Sequence, residues 1–463
     1  MPQIDQPSTG LTASEKVQPE LEKGLDCWSV FSPASGHMPK DSLNLGQGFM
    51  NWAPPAYIKV AASDALEDIS ANHYSLPKGR IRLRKAVAEH LSESFDLGRP
   101  LDAENEVVIS AGANMGIFAT LLAFCSQGDE VILMEPFFDQ YIRNITFAGG
   151  KPVYVPLRPP TIASHKNVSS KAWTLNLEEL RAVITPKSKI IILNTPHNPI
   201  GKVFSAKELK AIGEIAEEHN LLIIADEVYD CLTFDEPHVR IASLSPALWN
   251  RTITVGSAGK SFSATGWRVG WCIGPQKLLA PVLAVLTRTV FCSVSPLQEA
   301  IAAGFEGAKK EHFFETQLRE YRERRDLMMS YLDKLRLPYT QPDGSYFILV
   351  QNSKIKIPDD FEMIDIVKNR PRDWHVSWFI AKVAGIVCIP PSDFYSSEHV
   401  SIAENFTRIA FCKDLKLSTH VIASTLGSCL ADNCFLSGDL HCVKISTLKE
   451  AGERLQKLKP YLI

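Results

Sequence analysis

The chain has 463 residues, 45% of them apolar and 22% charged, with a formal net charge of −3. That is the balance of a folded protein with room for two or three cores, and it gives no reason to expect nucleic acid or an anionic membrane as the main partner. No apolar run is long enough to span a bilayer, and residues 1–23 lack both the apolar centre of a secretory signal and the acid-poor bias of a transit peptide, so a cytoplasmic protein is expected.

Short β-branched runs mark seven buried strands at 106–110, 130–134, 152–157, 189–194, 221–226, 252–256 and 269–274. Helical periodicity fills most of the gaps, as at 113–125 and 206–219. Strands that are apolar on both faces and alternate with helices predict a mostly parallel sheet covered on both sides. The last two strands are joined without a long helix, which leaves room for one of them to run antiparallel. A charge-rich helical pattern then extends from 296 to 335. Beyond it, strands at 343–350, 386–390 and 407–412 and a helix at 374–383 read as a smaller α+β domain. The expected division is an N-terminal arm (1–50), a large domain (51–330) and a small domain (331–463). Most of the ten cysteines sit singly in apolar runs, where a thiol acts as a small hydrophobe. Cys429, Cys434, His441 and Cys442 cluster without zinc spacing, so neither a disulfide framework nor a metal site is expected.

The most telling stretch is Gly256-Ser257-Ala258-Gly259-Lys260-Ser261, with Arg268 eight residues beyond the lysine. A lysine placed just after a strand and boxed in by small residues can hold an aldehyde cofactor as a Schiff base, since burial lowers its pKa and small neighbours admit a ring. Ser257 and Arg268 are placed to grip a phosphate. A nucleotide-binding loop would need a glycine six positions before its lysine, and position 254 is threonine. Upstream, Asn194-Thr195-Pro196-His197-Asn198-Pro199-Ile200-Gly201 follows a strand on a proline-stiffened loop, so Asn198 could donate to a phenolic oxygen. Asp226, in Ala225-Asp226-Glu227-Val228-Tyr229, ends another strand, where a carboxylate can keep a pyridine nitrogen protonated. Ser110-Ala111-Gly112-Ala113-Asn114 joins a strand to a helix whose first amides can cradle an anion. Glu135-Pro136-Phe137-Phe138-Asp139-Gln140-Tyr141 offers an aromatic face, and Arg408 can clamp a carboxylate.

These motifs, in this order, resemble the class I, fold type I aminotransferases dependent on pyridoxal 5′-phosphate, over nearly the whole chain. Asn44-Leu45-Gly46-Gln47-Gly48-Phe49 and the Glu135–Tyr141 stretch are most similar to the kynurenine aminotransferase/cysteine-conjugate β-lyase branch, in its fungal form. The resemblance implies a seven-stranded, mostly parallel α/β sheet with a smaller α+β domain. It implies that Lys260 carries the cofactor, Asp226 pairs with the ring nitrogen, and Asn198 and Tyr229 bond the phenolic oxygen. Phosphate contacts fall to Ala113, Asn114, Ser257 and Arg268, with Tyr74 reaching the phosphate of a neighbouring subunit in a homodimer. Phe138 stacks on the ring, Gly48 and Arg408 take the substrate α-carboxylate, and Trp28 and Phe291 line the side-chain pocket. The expected partners are an amino acid and a 2-oxo acid, kynurenine and 2-oxoglutarate first. The alternatives are a β-lyase, a methionine- or glutamine-type aminotransferase and, in a different class, a non-catalytic cofactor- or nucleotide-binding protein. Residues 415–446 interrupt the family pattern between Asp414 and Thr447 and are expected to be an insertion or a gene-model error.

Overall fold

A computed structural model describes residues 13–17, 24–414 and 447–463. The expected insertion at 415–446, with the cysteine cluster inside it, lies outside the described residues. In chain order the strands are β1 (Leu43–Asn44), β2 (Val107–Ser110), β3 (Glu130–Glu135), β4 (Lys151–Arg158), β5 (Val168–Ser169), β6 (Thr174–Leu175) and β7 (Ser188–Asn194). They continue as β8 (Leu222–Asp226), β9 (Thr252–Ser257), β10 (Gly270–Ile273), β11 (Tyr339–Gln341), β12 (Phe347–Gln351), β13 (Ile386–Val387) and β14 (Phe406–Ala410).

The large sheet has the order β2-β10-β9-β8-β7-β3-β4-β6. Seven of its strands are those expected; the eighth, β6, is a two-residue antiparallel addition beside β4, too short to show a hydrophobic period. Neighbours from β9 to β4 are parallel, whereas β10 runs antiparallel to both β9 and β2. The apolar runs form strands because both faces are covered. Ile190 and Ile192 pack into one layer with Ile224 and Val255, while Ile191 and Leu193 pack into the opposite layer with Ile223 and Ala225. The helix Ala206–Glu218 in the second layer starts at a capping box, in which Ser205 accepts from the Glu208 amide and Glu208 accepts from the Ser205 amide.

The smaller sheet has the order β14-β12-β11-β5 and is backed by the helices Phe313–Lys334, Arg372–Ala384 and Thr447–Leu455. Two departures from the sequence pattern occur here. The long helical stretch is two helices, Ser295–Ala308 and Phe313–Lys334, divided at His312, whose φ of +46° breaks the helix. The strand expected at 386–390 keeps only two ladder residues, plus an isolated bridge from Ile389 to Arg408. β5 comes from the chain between β4 and β6, yet pairs in parallel with β11, tying the two sheets together. No helix among the described residues is long and apolar enough to cross a membrane.

Asp414 and Thr447 flank residues 415–446 and are both held by Asn51: its Oδ1 accepts from the Asp414 amide at 2.8 Å and its Nδ2 donates to Thr447 Oγ1 at 3.2 Å. The Leu448 amide in turn donates to the Asp414 carbonyl at 3.4 Å. The two ends therefore meet. Replacing residues 415–446 with a two-glycine link is expected to leave a soluble protein that melts within about 3 °C of the full chain. A melting temperature lowered by more than about 10 °C would show that the segment contributes to the core.

Candidate active site

Three adjacent parallel strands deliver their last residues to one edge: Asn194 from β7, Asp226 from β8 and Ser257 from β9. The register places Asn194 opposite Asp226 and Asp226 opposite Val255. Side chains then lock the ends. Asn194 Nδ2 donates to the Asp226 carbonyl at 3.0 Å, and its Oδ1 accepts from the Asn198 amide at 2.8 Å, which fixes the loop after β7. A cavity of about 220 Å³ opens above this edge. Its lining brings together Trp28, Gly48, Ala113, Asn114, Phe138, Asn198, Asp226, Tyr229, Ser257, Lys260, Arg268 and Arg408. Tyr74 and Phe291 lie outside it, at the surface, with their rings edge to face at 5.2 Å.

Four charge-bearing side chains share this small volume: Asp226, Lys260, Arg408 and, at the far end, Arg268. Asp226 is buried; the Tyr141 hydroxyl donates to its Oδ2 and the Val228 amide to its Oδ1 at 3.3 Å. Burial pushes its carboxyl up to about 6, against the pull of these donors and of Lys260. Lys260 stands in the short helix Ala258–Ser261. Burial lowers its amine to about 8, opposed by Cys412 and Asp226 and reinforced by Arg408 and Arg268. Its Nζ donates to the Gly48 carbonyl at 3.0 Å and to the Tyr346 hydroxyl at 2.8 Å.

Arg408, from β14, is only 1% exposed. Its Nη1 donates to Asn198 Oδ1 at 3.0 Å and its Nη2 to the Gly46 carbonyl at 2.6 Å, while Nε has no partner among the described residues. The rings of Trp28, Phe347 and Phe394 surround it at 5.4, 4.5 and 4.9 Å. Aromatic faces and neutral oxygens soften the cost of burying a guanidinium but do not neutralise it. Burial accordingly pushes its pKa down. The arrangement is suited to receiving an anion, and a carboxylate fits the guanidinium fork.

The opposite end of the cavity is a second anion cradle. The helix Ala113–Phe124 begins at Gly112, without a side-chain cap, so its first amides point outward unspent. Gly112 has φ +85°, and a Cβ there would lie 2.5 Å from Arg268 Nη2, so only glycine admits the guanidinium so close. Ser257 completes the group. The Asn114 side-chain oxygen accepts from Asn144 Nδ2 at 2.8 Å, a bond that leaves both its Nδ2 hydrogens and its backbone amide as donors for an anion. Between the two cradles, Phe138 supplies a flat face and Trp28 a wall, the latter held by its indole N–H donating to Asp139 at 2.9 Å.

Sequence reasoning missed two participants. Tyr141 was visible within its aromatic motif, but its bond to Asp226 spans 85 positions. Tyr346 follows a turn of the small sheet and meets Lys260 across 86 positions. Neither has a local pattern that announces its partner.

Comparison with known proteins agrees with this geometry. The sequence model of the family "Aminotransferase class I and II" matches residues 40–423. The "Probable kynurenine--oxoglutarate transaminase BNA3" of Saccharomyces cerevisiae is 44% identical over 397 residues, which cover 84% of this chain and 89% of that protein. The kynurenine--oxoglutarate transaminase of Dictyostelium discoideum is 41% identical over 401 residues, 84% of this chain and 91% of its own. The crystal structure of Bna3p from Saccharomyces cerevisiae superposes with a TM-score of 0.87 at 40% identity, covering 98% of this chain and 100% of that one. N-succinyldiaminopimelate aminotransferase from Mycobacterium tuberculosis, 28% identical, superposes with a TM-score of 0.77 over 96% of this chain and 100% of its own. The chain belongs to the class I and II aminotransferase family.

Proposed function

We propose that this chain transfers the amino group of an aromatic amino acid, kynurenine first, to a 2-oxo acid such as 2-oxoglutarate, with pyridoxal 5′-phosphate held in the cavity. The observation that carries the reading is Arg408: a buried guanidinium that has, among the described residues, an unpartnered Nε and no carboxylate as a hydrogen-bond partner, in the same cavity as the buried Lys260 amine and Asp226 carboxylate. The residues fit the cofactor. The amides of Ala113 and Asn114, with Ser257 and Arg268, would hold its phosphate. Asp226 would hold a proton on its ring nitrogen, Asn198 and Tyr229 would donate to its ring oxygen, and Phe138 would stack on its face. When bound, the group supplies an aldehyde for the substrate amine and a protonated ring that takes up the electron pair left at the α-carbon.

The chain's own residues do the rest. Arg408 and the Gly48 amide hold the α-carboxylate and so fix which bond at the α-carbon stands over the ring. Lys260, its basicity lowered by burial, removes the α-proton and returns it on the other side of the exchange. Trp28 and Phe138 favour a flat side chain, whose burial contributes on the order of 2–3 kcal/mol. The similarity to the two kynurenine--oxoglutarate transaminases above supports kynurenine as the donor. A division at about residues 50 and 330 into arm, large and small domains, in a cytoplasmic homodimer, belongs to the same proposal. The surface supports the dimer: Tyr74 is 85% and Phe291 48% exposed, beside exposed Leu76 and Val294. Ser295 Oγ binds the His73 carbonyl at 3.3 Å, joining the two loops into one apolar patch. On a second copy this patch would close the phosphate end, with Tyr74 reaching in.

A panel of amino donors with the loaded enzyme tests the assignment. Kynurenine, tryptophan and phenylalanine should each give a higher kcat/KM than aspartate, and the reverse order would overturn the aromatic assignment. Arg408→Gln should lower kcat/KM by roughly 100-fold or more for the amino donor and the oxo acid alike, because both lose the same charged bond. A loss confined to one substrate would mean that they bind separately.

The pKa of Asp226 has a consequence for the cofactor-free protein. Burial raises its carboxyl from 3.8 to about 6, so folding is unopposed below 3.8, loses stability as pH rises from there through 6, and carries the full cost above that. Asp226→Asn should therefore melt a few degrees above the wild type at pH 8, with the advantage shrinking below about pH 6 and vanishing only near the free value of 3.8. An advantage independent of pH would show that the ionised carboxylate is not the source.

A further inference from the structure

Tyr346 is fully buried, with its ring 5.0 Å from that of Tyr229 and stacked on Tyr321 at 6.1 Å. Its hydroxyl sits in a closed triangle. It donates to the Gly48 carbonyl at 2.7 Å and accepts from Lys260 Nζ at 2.8 Å, while Nζ also donates to the Gly48 carbonyl at 3.0 Å. We propose that Tyr346 is a positioning residue for the Lys260 amine, which it holds, together with the Gly48 carbonyl, in the orientation required of a base. The proposal rests on the reading of Lys260 as the residue that moves the α-proton.

The argument is one of valence. A neutral primary amine has two N–H donors and one lone pair. Here both donors have acceptors, Tyr346 Oη and Gly48 O, so the lone pair is left for the remaining tetrahedral direction. The phenol leaves that lone pair uncapped, because its single proton has the Gly48 carbonyl at 2.7 Å and the neighbouring Tyr229 hydroxyl as acceptors. Tyr346 therefore spends its proton away from the amine and presents only acceptor character to the lysine. The backbone side of the triangle is equally constrained. A Cβ on Gly48 would lie 2.7 Å from Phe347 Cζ, so the carbonyl keeps its place only with glycine there. Gly48 then faces two tasks at one peptide: its carbonyl steadies the amine, and its amide is the proposed contact for the substrate carboxylate. The turn that carries Tyr346 is anchored to the loop after β7, since the Asp343 and Gly344 amides donate to the Gly201 carbonyl at 3.0 and 2.9 Å. The dock is thus built from residues rigidly tied to the strand ends.

Tyr346→Phe keeps the ring and removes only the acceptor, so its melting temperature is expected within about 2 °C of the wild type. The first readout uses cofactor-free protein mixed with pyridoxal 5′-phosphate, following the rate at which a visible absorbance band forms between about pH 6.5 and 10. In the wild type that rate should rise through about 8, where the buried amine loses its proton. In Tyr346→Phe the ammonium form has lost an acceptor, and the midpoint should fall by roughly 0.5 units or more. The second readout compares α-deuterated with ordinary kynurenine. The variant should show a larger isotope effect on kcat, with the donor KM changed less than about threefold, because proton removal and not binding is impaired. An unchanged midpoint with an unchanged isotope effect overturns the proposal. No band in the wild type, or an equal band in Lys260→Ala, instead overturns the assignment of Lys260 on which it rests.

Discussion

The register of β7, β8 and β9 is the constraint from which the site follows. Parallel strands place all their carboxyl ends on one edge of a sheet, and the alignment of Asn194 with Asp226, and of Asp226 with Val255, brings those ends level. A slip of one residue would turn Asp226 out of the cavity and exchange the two faces of every isoleucine in β7. The core prevents that slip, because Ile190 and Ile191 belong to different layers. β10 serves the same edge by running the other way. It lies between β9 and β2, setting Gly270 opposite both Ser257 and Ser110, so the loop that leads into the helix Ala113–Phe124 arrives beside the lysine.

What the edge assembles is electrostatically unfinished. Tyr141 and the Val228 amide satisfy Asp226 only in part, as its raised pKa records, and Arg408 has neutral partners. Each buried charge costs stability that the polypeptide alone does not return. An anion at each end of the cavity, a phosphate beside Arg268 and a carboxylate on Arg408, would complete the arrangement.

Much of this was legible in the residues. The seven main strands announce themselves because buried parallel strands must be apolar on both faces, and Lys260 stands out just past one of them, while Asn198 and Asp226 gain their meaning only beside it. Arg408 required the family context, since a lone arginine in a strand has no local signature of burial. Other features were hidden for physical reasons. β5 and β6 are two residues each, shorter than any period, and exist because of the partner they meet. The break at His312 lies inside a charge-rich helical pattern, with no glycine or proline at the break itself to mark it. Tyr346 becomes important only when the small sheet lays its turn against the large one, a contact between distant parts of the chain.

That turn gives the molecule an unequal mechanical division. Residues 342–345 are held by Gly201, and also by Leu232, whose carbonyl accepts from the Ser345 amide at 2.9 Å, while the Phe234 amide donates to the Asp343 carbonyl at 2.8 Å. β5 adds a second fastening to β11 a few residues away. Fastenings this close together leave little lever arm between them. The inner edge of the small sheet therefore travels with the large sheet, and any swing of the outer elements, such as the helix Arg372–Ala384, grows with distance from the fastened turn. The amine of Lys260 thus meets the small sheet at this fastened turn, through Tyr346.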